Sequence, residues 1–427
     1  MVDLEGKHVV LAYSGGLDTS VILHWLINQK KARVSAFMAD VGQGEELEPA
    51  REKAIALGAE CVRVVDIRDE FVRDFVYPAI RADVRYEGRY LLGTSLARPV
   101  TAKAHVAVAL GVAGSESVIL SHGATEKGND QIRFELAWKV LAPKFGIYTP
   151  WKDLEFSQQF RGGRKAMQAY AAQHGIPVVQ TAEQPWSSDA NLAHISYEGG
   201  ILEDPNVVPP DHMFRLTKSP RDAPDVETIV EIMFRDGNPI KVKGIQGPPV
   251  PSFVYLDQIT NDHQPVEILQ YLNHVAGENG VGRIDIVESR ATGMKSRGVY
   301  EAPGVTVLMF AHEVLEDLTL DREVRRRNQQ ASLDLADVIY RGLWFSPERV
   351  YLQAQIDASQ EFVSGVVKVG LYKGNMFVRG RTSPNSLYQP KLASMDEAGT
   401  YDPTTARGFI DMTALRLVGQ ADRLVDR

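Results

Sequence analysis

A short segment near the N-terminus, residues 13–20, reads Tyr-Ser-Gly-Gly-Leu-Asp-Thr-Ser and lies between a predicted buried strand and a predicted helix. Gly15 and Gly16 allow backbone amides to approach a ligand without obstruction by a Cβ atom. Hydroxyl groups and the unpaired N–H groups of the helix N-terminus add donors and a partial positive charge. The segment therefore predicts a site for an anion such as phosphate. It lacks the Gly-Lys-[Ser/Thr] ending of a Walker loop, so no lysine takes the usual position beside the β- and γ-phosphates.

A structural interpretation of the same segment is a tight turn from strand to helix, with Asp18 and Thr19 as helix caps. A bare Ser-Gly-Gly sequence would favour that interpretation. Here the whole segment occurs at a strand-to-helix switch near the start of an α/β unit, which is the context that a phosphate-binding loop requires. We therefore predict phosphate binding.

Strand and helix patterns alternate through residues 1–180, which indicates an α/β fold. We predict strands at 9–12, 34–38, 61–65 and 118–120, and helices at 19–30, 47–57 and 132–140. Apolar strands that alternate with helices indicate a doubly wound parallel sheet, in which ligands bind at the carboxyl ends of the strands. The loops after Ala12, Met38 and Leu120 are therefore expected to carry the binding site.

Beyond residue 181 the pattern becomes that of an α+β domain. We predict hairpins at 234–242 and 366–379 and helices at 266–276 and 333–342. The alternating residues before Ile356 suggest another strand, and loop character around 383–403 indicates an appended arm. The expected division is a first domain at 1–180, a second domain at 181–375 and a C-terminal arm at 376–427.

The composition excludes several classes of function. The chain has 427 residues, with 47 Lys+Arg against 55 Asp+Glu and a formal net charge of −8. This charge has the wrong sign for a general binder of nucleic acid or of anionic membranes. The single cysteine, Cys61, excludes an intramolecular disulfide and a thiolate metal cluster. No apolar run approaches the ~18 residues that span a membrane, and no signal-peptide pattern is present, so we expect a cytoplasmic protein.

The phosphate loop resembles that of the ATP pyrophosphatases, which split ATP into AMP and pyrophosphate. Further segments, in order along nearly the whole chain, narrow the resemblance to the argininosuccinate synthase family. These segments lie at 89–99, 121–125, 127–131, 186–187, 194–198, 282–288 and 293–298. The resemblance implies a nucleotide-binding first domain, a second α+β synthetase domain and a C-terminal oligomerisation arm.

The resemblance also implies a reaction, the ATP-dependent condensation of L-citrulline with L-aspartate to argininosuccinate in arginine biosynthesis. The ureido oxygen of citrulline attacks the α-phosphate and expels pyrophosphate, and the aspartate amine then displaces AMP from the citrullyl-adenylate. Mg²⁺ is expected to accompany the triphosphate rather than to lie in a protein cage, so no metal ligand is assigned. The family further implies a homotetramer in which the C-terminal segment crosses between subunits.

Residues of this chain match the family's binding positions for all three substrates. The implied ATP-binding residues are Ala12, Tyr13, Ser14, Gly15, Gly16, Leu17, Asp18, Thr19, Ser20, Ala39 and Gly123. The implied aspartate-binding residues are Thr125, Asn129 and Asp130. The implied citrulline-binding residues are Tyr90, Ser95, Asn129, Arg133, Ser187, Ser196, Glu288 and Tyr300. The residue types suit these ligands, since Arg133 can pair with a carboxylate in a bidentate manner and Glu288 can bind an ammonium group.

Taken singly, several of these residues have an ordinary structural explanation. Asp130 and Arg133 are three apart near a helix start and could form a cap and an exposed pair. Tyr90 and Tyr300 could be core residues with a satisfied hydroxyl group. Only their occurrence together in the matched segments favours substrate binding. The base that deprotonates the aspartate ammonium is not identified, because a lone residue such as His122 is more often structural.

Glu126 departs from the family pattern, which commonly has glycine at this position, and adds a negative charge near the expected nucleotide and aspartate. We expect Glu126→Gly to leave activity intact. Other enzymes with this loop fit less well. Sulfur transfer to tRNA through two cysteines is impossible with Cys61 alone, and a glutaminase of the N-terminal-cysteine type would need cysteine where Val2 stands. A nucleotide-binding regulatory module without turnover is the alternative of a different class.

Overall fold

The structure, a computed structural model, describes residues 3–44, 47–114, 117–125, 128–177, 185–247, 264–394, 402 and 404–421. A parallel sheet forms the N-terminal part of the chain. Its strands are β1 His8–Ala12, β2 Arg33–Asp40, β3 Cys61–Asp66, β4 Val118–His122 and β5 Gly146–Tyr148. The α-helices of this part are α1 Leu17–Asn28, α2 Leu47–Ala56, α3 Arg68–Phe71, α4 Tyr77–Arg81, α5 Gly93–Ala113, α6 Asn129–Leu141, α7 Leu154–Gln159 and α8 Arg164–Gln173. A π-helical turn at Val72–Val76 joins α3 to α4.

The strand order β3-β2-β1-β4-β5 puts β1 at the centre of the sheet and confirms the predicted doubly wound α/β fold. Both faces of β1 are buried. Val9 and Leu11 pack into the core that contains α1 and α8, whereas Val10 packs into the core that contains α5. This alternation is the two-residue period of a strand, and a sheet covered on both faces requires the continuous apolar runs that the sequence shows.

The strand order reverses between β1 and β4, and such a reversal opens a crevice at the carboxyl ends of the strands. Ala12, the last residue of β1, pairs with His122, the last residue of β4. The loops that follow these two strands therefore start side by side, at the edge where the sequence predicts binding.

The described residues from 185 to 394 form two four-stranded antiparallel sheets with helices packed against them. The strands are β6 Ser187–Asn191, β7 His194–Glu198, β8 Thr228–Arg235, β9 Asn238–Gln246, β10 Arg283–Ser289, β11 Lys295–Glu301, β12 Gly365–Tyr372 and β13 Asn375–Thr382. The helices are α9 Pro265–Glu278, α10 Pro303–Thr319, α11 Arg322–Tyr340, α12 Pro347–Gln360 and α13 Pro390–Ala393, followed in the arm by α14 Thr405–Val418. The sheet orders are β10-β11-β7-β6 and β13-β12-β8-β9, and both predicted hairpins are present. No helix of the described residues is long and apolar enough to cross a membrane.

The strand suggested before Ile356 is wrong, because this residue lies in α12. Leu352 and Ile356 are both buried and are four residues apart, which is the spacing of one helix face. The polar residues between them produce an alternation of polar and apolar residues that also fits a strand. The arm expected from residue 376 starts inside the last hairpin, since β13 pairs with β12 as far as Thr382.

Arg81 of α4 joins the N-terminal part to the second part. Its guanidinium donates to the carboxylate of Asp357 on α12 at 2.9 Å and to the side-chain oxygen of Asn238 at 2.6 Å. Nearby, the amide of Gln353 donates to the carbonyl of Pro78 at 3.3 Å. These hydrogen bonds hold the two parts in one relative orientation, on which any site between them depends.

The carboxylate of Glu301, at the end of β11, fixes the adjacent segment 215–217. Glu301 is fully buried and accepts hydrogen bonds from the hydroxyl of Tyr197 at 2.6 Å and from the hydroxyl of Thr217 at 2.7 Å. It also accepts from the backbone amides of Arg215, Leu216 and Thr217 at 2.7–3.0 Å. A group that only accepts hydrogen bonds therefore satisfies a set of donors that are shielded from water.

Glu301→Gln is expected to lower the free energy of unfolding by about 2–4 kcal/mol, because the new NH₂ group faces donors and leaves some of them unsatisfied. Thermal or denaturant unfolding would measure this change. Glu323→Gln is the matched control, since that carboxylate is 53% exposed, and it should shift the unfolding free energy by less than about 0.5 kcal/mol. An equally small effect for both variants would contradict the role of Glu301.

Candidate active site

The loop after β1 turns sharply beneath α2. The amide of Tyr13 still donates to the carbonyl of Phe37 on β2 at 2.8 Å, so the chain leaves the sheet at Ser14. Gly15 has a φ of +79°, in the left-handed region that favours glycine, and a Cβ atom there would lie 2.6 Å from the Cβ atom of Ala50. The turn therefore requires glycine both for its conformation and for its close approach to α2.

Hydroxyl groups bridge the two ends of this loop. The Oγ atom of Ser14 lies 3.1 Å from the Oγ1 atom of Thr19, and the amide of Ser14 donates to the same Oγ1 atom at 3.3 Å. The N-cap residue of α1 is Gly16, which provides no side-chain cap, whereas Asp18 and Thr19 lie within the first turn. The capping interpretation is therefore wrong. The first-turn amides of α1 keep the donor capacity that an anion site requires.

The other polar side chains of the first turn are buried or partly buried. Ser20 is fully buried, and its Oγ atom lies 3.0 Å from the hydroxyl oxygen of Tyr13. Burial raises the pKa of the Asp18 carboxyl above its ordinary value, and the positive charge of Arg164 on α8 partly opposes this shift. The loop thus presents hydroxyls, amides and one carboxyl group whose charge Arg164 moderates.

The loop after β4 lies against this phosphate loop. A Cβ atom on Gly123 would lie 2.8 Å from the Cγ2 atom of Thr19, so the contact requires glycine. The next amide, that of Ala124, donates to Nδ1 of His122 at 3.2 Å. The opposite ring nitrogen of His122 lies 3.6 Å from a carboxylate oxygen of Glu135. His122 is therefore a support for this loop, in agreement with the structural role that the sequence favours.

Asn129 and Arg133 of α6 contact the second part of the chain, and Asp130 lies between them near the start of the helix. Asn129 donates from Nδ2 to the hydroxyl of Tyr340 at 3.0 Å and accepts from the amide of Ala291 at 3.2 Å. Asp130 accepts from Nη1 of Arg133 at 3.1 Å. The expectation of an exposed pair is wrong, because Arg133 is only 4% exposed. Asn129 thus links α6 to the second part of the chain, and Arg133 lies buried beside it.

Arg98 of α5 binds carboxylates from both parts of the chain. Its Nε atom donates to Asp130 at 2.8 Å and its Nη2 atom donates to Asp189 of β6 at 2.6 Å. Burial alone would raise the pKa of Asp130, but Arg98 and Arg133 bring that pKa below its ordinary value. Burial raises the pKa of Asp189, and Arg98 opposes this only in part. The two acids therefore differ in their affinity for a proton although they share one arginine.

Stacked rings form the adjacent wall. The ring of Tyr90 stacks on that of Tyr300 with a centroid distance of 4.3 Å, and the ring of His194 lies 5.7 Å from Tyr300 on a nearly parallel plane. Two glycines make room, since a Cβ atom on Gly93 would lie 2.4 Å from the His194 ring and one on Gly298 would lie 2.2 Å from the Tyr300 hydroxyl. Burial and the neighbouring arginines lower the pKa of His194 to about 3, so the imidazole is neutral at physiological pH.

Glu288 and Tyr340 connect these groups. The carboxylate of Glu288 accepts from the hydroxyls of Tyr340 at 2.8 Å and Tyr300 at 2.9 Å. Burial raises its pKa, and these two hydrogen bonds act against that shift. Arg133 donates from Nε and Nη2 to the carbonyl of Tyr340 at 3.1 and 2.9 Å, so that edge of its guanidinium faces the backbone. The residues joined in this way, here named the polar cluster, are Arg98, Asn129, Asp130, Arg133, Asp189, Glu288, Tyr300 and Tyr340.

The predicted serines lie close to the polar cluster. Ser196 of β7 pairs with Tyr300 across the sheet, and its hydroxyl donates to the carbonyl of Asp189 at 3.3 Å. Ser187 is exposed and is two residues from Asp189 on the same face of β6. Ser95 is fully buried in the first turn of α5, and its hydroxyl has no hydrogen-bond partner among the described residues.

Two further predicted residues lie at the carboxyl edge of the parallel sheet, Thr125 on the loop after β4 and Ala39 on β2. Thr125 is exposed after β4, and its carbonyl accepts from the amide of Gly128 at 3.2 Å. Ala39 lies near the carboxyl end of β2, where its carbonyl accepts from the side chain of Gln43 at 3.0 Å. Glu126, the departure from the family pattern, lies outside the described residues.

Sequence reasoning missed four residues of this site. Arg98 and His194 lie within the matched segments 89–99 and 194–198, so the segments point to them without revealing their contacts. Asp189 follows the matched pair at 186–187 by two residues. Tyr340 lies in no matched segment, and only its position at the end of α11 brings it into the cleft.

Comparison with protein-family models matches both parts of this architecture. Residues 8–177 match the model described as "Arginosuccinate synthase N-terminal HUP domain", and residues 186–419 match the one described as "Arginosuccinate synthase C-terminal domain". A solved structure described as a predicted subunit of tRNA methyltransferase from Methanocaldococcus jannaschii shares 12% identity, with a TM-score of 0.25 over 40% of this chain and 88% of that chain. That likeness is too weak to bear on the assignment.

Curated relatives agree with the family models along almost the full length. The chain is 48% identical over 409 residues to "Argininosuccinate synthase" of Danio rerio, covering 96% of this chain and 95% of the relative. It is 49% identical over 411 residues to the protein of that name from Desulfatibacillum aliphaticivorans, covering 96% and 97%. The corresponding protein of Syntrophus aciditrophicus (strain SB) is 49% identical over 416 residues, covering 97% and 98%. With both domain models matched on either side of this cleft, the chain belongs to the argininosuccinate synthase family of ligases.

Proposed function

We propose that this chain condenses L-citrulline with L-aspartate to form argininosuccinate, through a citrullyl-adenylate and with release of AMP and pyrophosphate. The observation that carries the proposal is a series of contacts that leads from the phosphate loop to the second part of the chain. Gly123 touches Thr19 of the phosphate loop, and the same segment leads within a few residues to Asn129, which reaches Tyr340 in the second part. A nucleotide held at the sheet edge is thus next to groups that suit two amino acids.

ATP binding rests on the first of these loops. The β- and γ-phosphates accept from the hydroxyls and amides of residues 14–20, and the N-terminus of α1 adds its partial positive charge. Ala39, on β2, and Gly123, directly after β4, flank the end of β1, and we expect both to lie along the nucleotide. Mg²⁺, when bound with ATP, neutralises part of the triphosphate charge. The single carboxyl group of this loop, Asp18, fits an ion that is held mainly by phosphate oxygens and water.

Aspartate binds at the start of α6. Thr125 and Asn129 donate to its carboxylates, and Asp130 accepts from its ammonium group. The low pKa that Arg98 and Arg133 give to Asp130 keeps this acceptor ionised, and the same arginines supply positive charge for a dicarboxylate ligand.

Citrulline binds against the stacked tyrosines. Glu288 accepts from its ammonium group with the lone pairs that the two tyrosine hydroxyls leave free, and Arg133 attracts its carboxylate from the edge that does not face Tyr340. The remaining serines and tyrosines suit the neutral ureido tail. They are Tyr90, Ser95, Ser187, Ser196 and Tyr300.

Catalysis in this cleft is mainly positioning and electrostatic stabilisation. The ureido oxygen of citrulline forms a bond to the α-phosphorus while the bond to the β-phosphate oxygen breaks, so negative charge accumulates on pyrophosphate. In the second step the aspartate nitrogen bonds to the ureido carbon and AMP leaves. The donors of the phosphate loop stabilise the first leaving group, and the polar cluster holds both amino acids near the α-phosphate.

Pyrophosphate release tests the proposal directly. With ATP, citrulline and aspartate together we expect continuous release, whereas ATP and citrulline without aspartate should give at most about one pyrophosphate per site, because the adenylate cannot turn over. Release that does not depend on citrulline would contradict the proposed reaction. Nucleotide binding without any release would favour a regulatory module instead.

Tyr340→Phe is expected to raise the KM for citrulline about tenfold or more. The change removes a hydroxyl that donates a hydrogen bond to Glu288 and accepts one from Asn129. Steady-state kinetics with citrulline varied would measure it. Tyr86→Phe is the matched control, since Tyr86 stacks on Tyr340 at 3.6 Å but donates its hydroxyl to the carbonyl of Ser289. The control should stay within about twofold of the parent, and equal effects from both variants would contradict the assignment.

The C-terminal arm is proposed to join copies of the chain into a homotetramer. Helix α14 has no buried residue although it is apolar on several sides, with Phe409 74%, Met412 71% and Leu415 66% exposed. An exposed apolar helix of this kind indicates a contact that a single chain does not supply. The reaction is proposed to take place in the cytoplasm.

Deletion of residues 395–427 is expected to reduce the sedimentation coefficient to that of a smaller species. The double variant Phe409→Asp, Met412→Asp should have the same effect, because it would place negative charge in the apolar contact. Thr405→Asp adds a negative charge at the helix start, outside the apolar contact, and should leave assembly unchanged. A full-length chain that sediments as a monomer would overturn the proposal.

A further inference from the structure

Helix α2 brings a lysine to the phosphate loop. The Nζ atom of Lys53 donates to the carbonyl of Gly15 at 2.8 Å. Ala50, one turn earlier on the same helix, is the residue that a Cβ atom on Gly15 would meet. One face of α2 therefore covers the loop and places an ammonium group on it.

Among the residues that the structure describes, the charge of this ammonium group has only a neutral partner. A carbonyl is a neutral partner, and no ion pair among the described residues involves Lys53. Burial lowers the pKa of Lys53, which reflects the loss of water around the ammonium group. A half-buried cation without an anionic partner is unfavourable, and an anion in the adjacent loop would remove that penalty.

The donor count agrees with an anion at this position. An ammonium group has three N–H donors, and the carbonyl of Gly15 takes one of them. The loop itself has no lysine at the position that a Walker loop uses for the β- and γ-phosphates. A lysine from a neighbouring helix can supply the same charge from the other side of the turn.

We propose that Lys53 binds the pyrophosphate portion of ATP and stabilises it as the leaving group. This inference rests on the proposed use of ATP and adds a residue outside the loop to that site. As the bond between the α-phosphorus and the β-phosphate oxygen breaks, the electron pair and the negative charge go to pyrophosphate. The ammonium group is close to where that charge develops, and its bond to Gly15 holds the loop in the binding conformation.

The test compares the affinities of the full-length chain for its two nucleotide-derived products. Isothermal titration calorimetry with inorganic pyrophosphate and with AMP should show that Lys53→Met raises the pyrophosphate dissociation constant about tenfold or more. The AMP dissociation constant should stay within about twofold. Lys53→Arg should restore most of the pyrophosphate affinity, because it keeps the charge.

Arg51→Met is the matched control. Arg51 is two residues away on the same helix, is 41% exposed and pairs with Glu48, so its loss removes one positive charge without touching the loop. We expect both dissociation constants to stay within about twofold. If Lys53→Met does not fold, Lys53→Gln takes its place.

Unchanged pyrophosphate affinity in the Lys53 variants would overturn the inference. Equal weakening of pyrophosphate binding and AMP binding would indicate that Lys53 has only a structural role, and would also overturn the inference. Failure of the proposed function gives a different result. In that case the parent chain itself would not release pyrophosphate from ATP in the presence of citrulline.

Discussion

The guanidinium of Arg98 is shared between Asp130 and Asp189, and this shared ion pair is the contact on which the arrangement of the cleft depends. Asp130 belongs to α6, which follows the loop after β4 of the parallel sheet. Asp189 belongs to β6, in an antiparallel sheet of the second part. Without the guanidinium, the two carboxylates, which are 28% and 39% exposed, would lose the cation that they share across the boundary. One side chain therefore fixes the relation between α6 and β6, on which the two proposed amino-acid sites depend.

The charges around this contact explain how an acidic protein can bind anionic substrates. The formal net charge is −8, but the cleft concentrates positive charge locally. Arg98 and Arg133 flank Asp130, the N-terminus of α1 opens on the phosphate loop, and Lys53 contacts Gly15. Interactions at such short range are screened little by salt, whereas the net charge acts over distances at which salt screens strongly. Local donors rather than overall charge therefore determine binding.

The sequence could predict the parts of the fold and site that depend on local pattern. The strand at Val9 to Ala12, its glycine turn and the hairpin at 366–379 all follow from periodicity and turn residues, and the structure has each of them. Ile356 was misassigned because a short apolar–polar alternation fits both periods, and only the packing of α12 decides between them. The local pattern of residues does not predict which distant segments of the chain come into contact.

Tyr340 and Lys53 show why the remainder of the site was not accessible from sequence. The hydroxyl of Tyr340 accepts a hydrogen bond from Asn129 and its carbonyl accepts one from Arg133, both more than two hundred positions away in the sequence. No motif surrounds Tyr340. Lys53 lies on a surface-like helix pattern, and its contact with Gly15 depends on how α2 crosses the loop. Both contacts come from tertiary geometry, which the spacing of residues in a single sequence does not reveal.

In the proposed reaction, citrulline and the α-phosphate of ATP meet between the phosphate loop and the polar cluster. The most direct measurement uses citrulline labelled with ¹⁸O in the ureido group and mass spectrometry of the products. Attack by the ureido oxygen predicts one ¹⁸O atom in the phosphate of AMP and none in pyrophosphate or argininosuccinate. Unlabelled AMP from a complete reaction would contradict the account, because the oxygen would then not have bonded to the α-phosphorus.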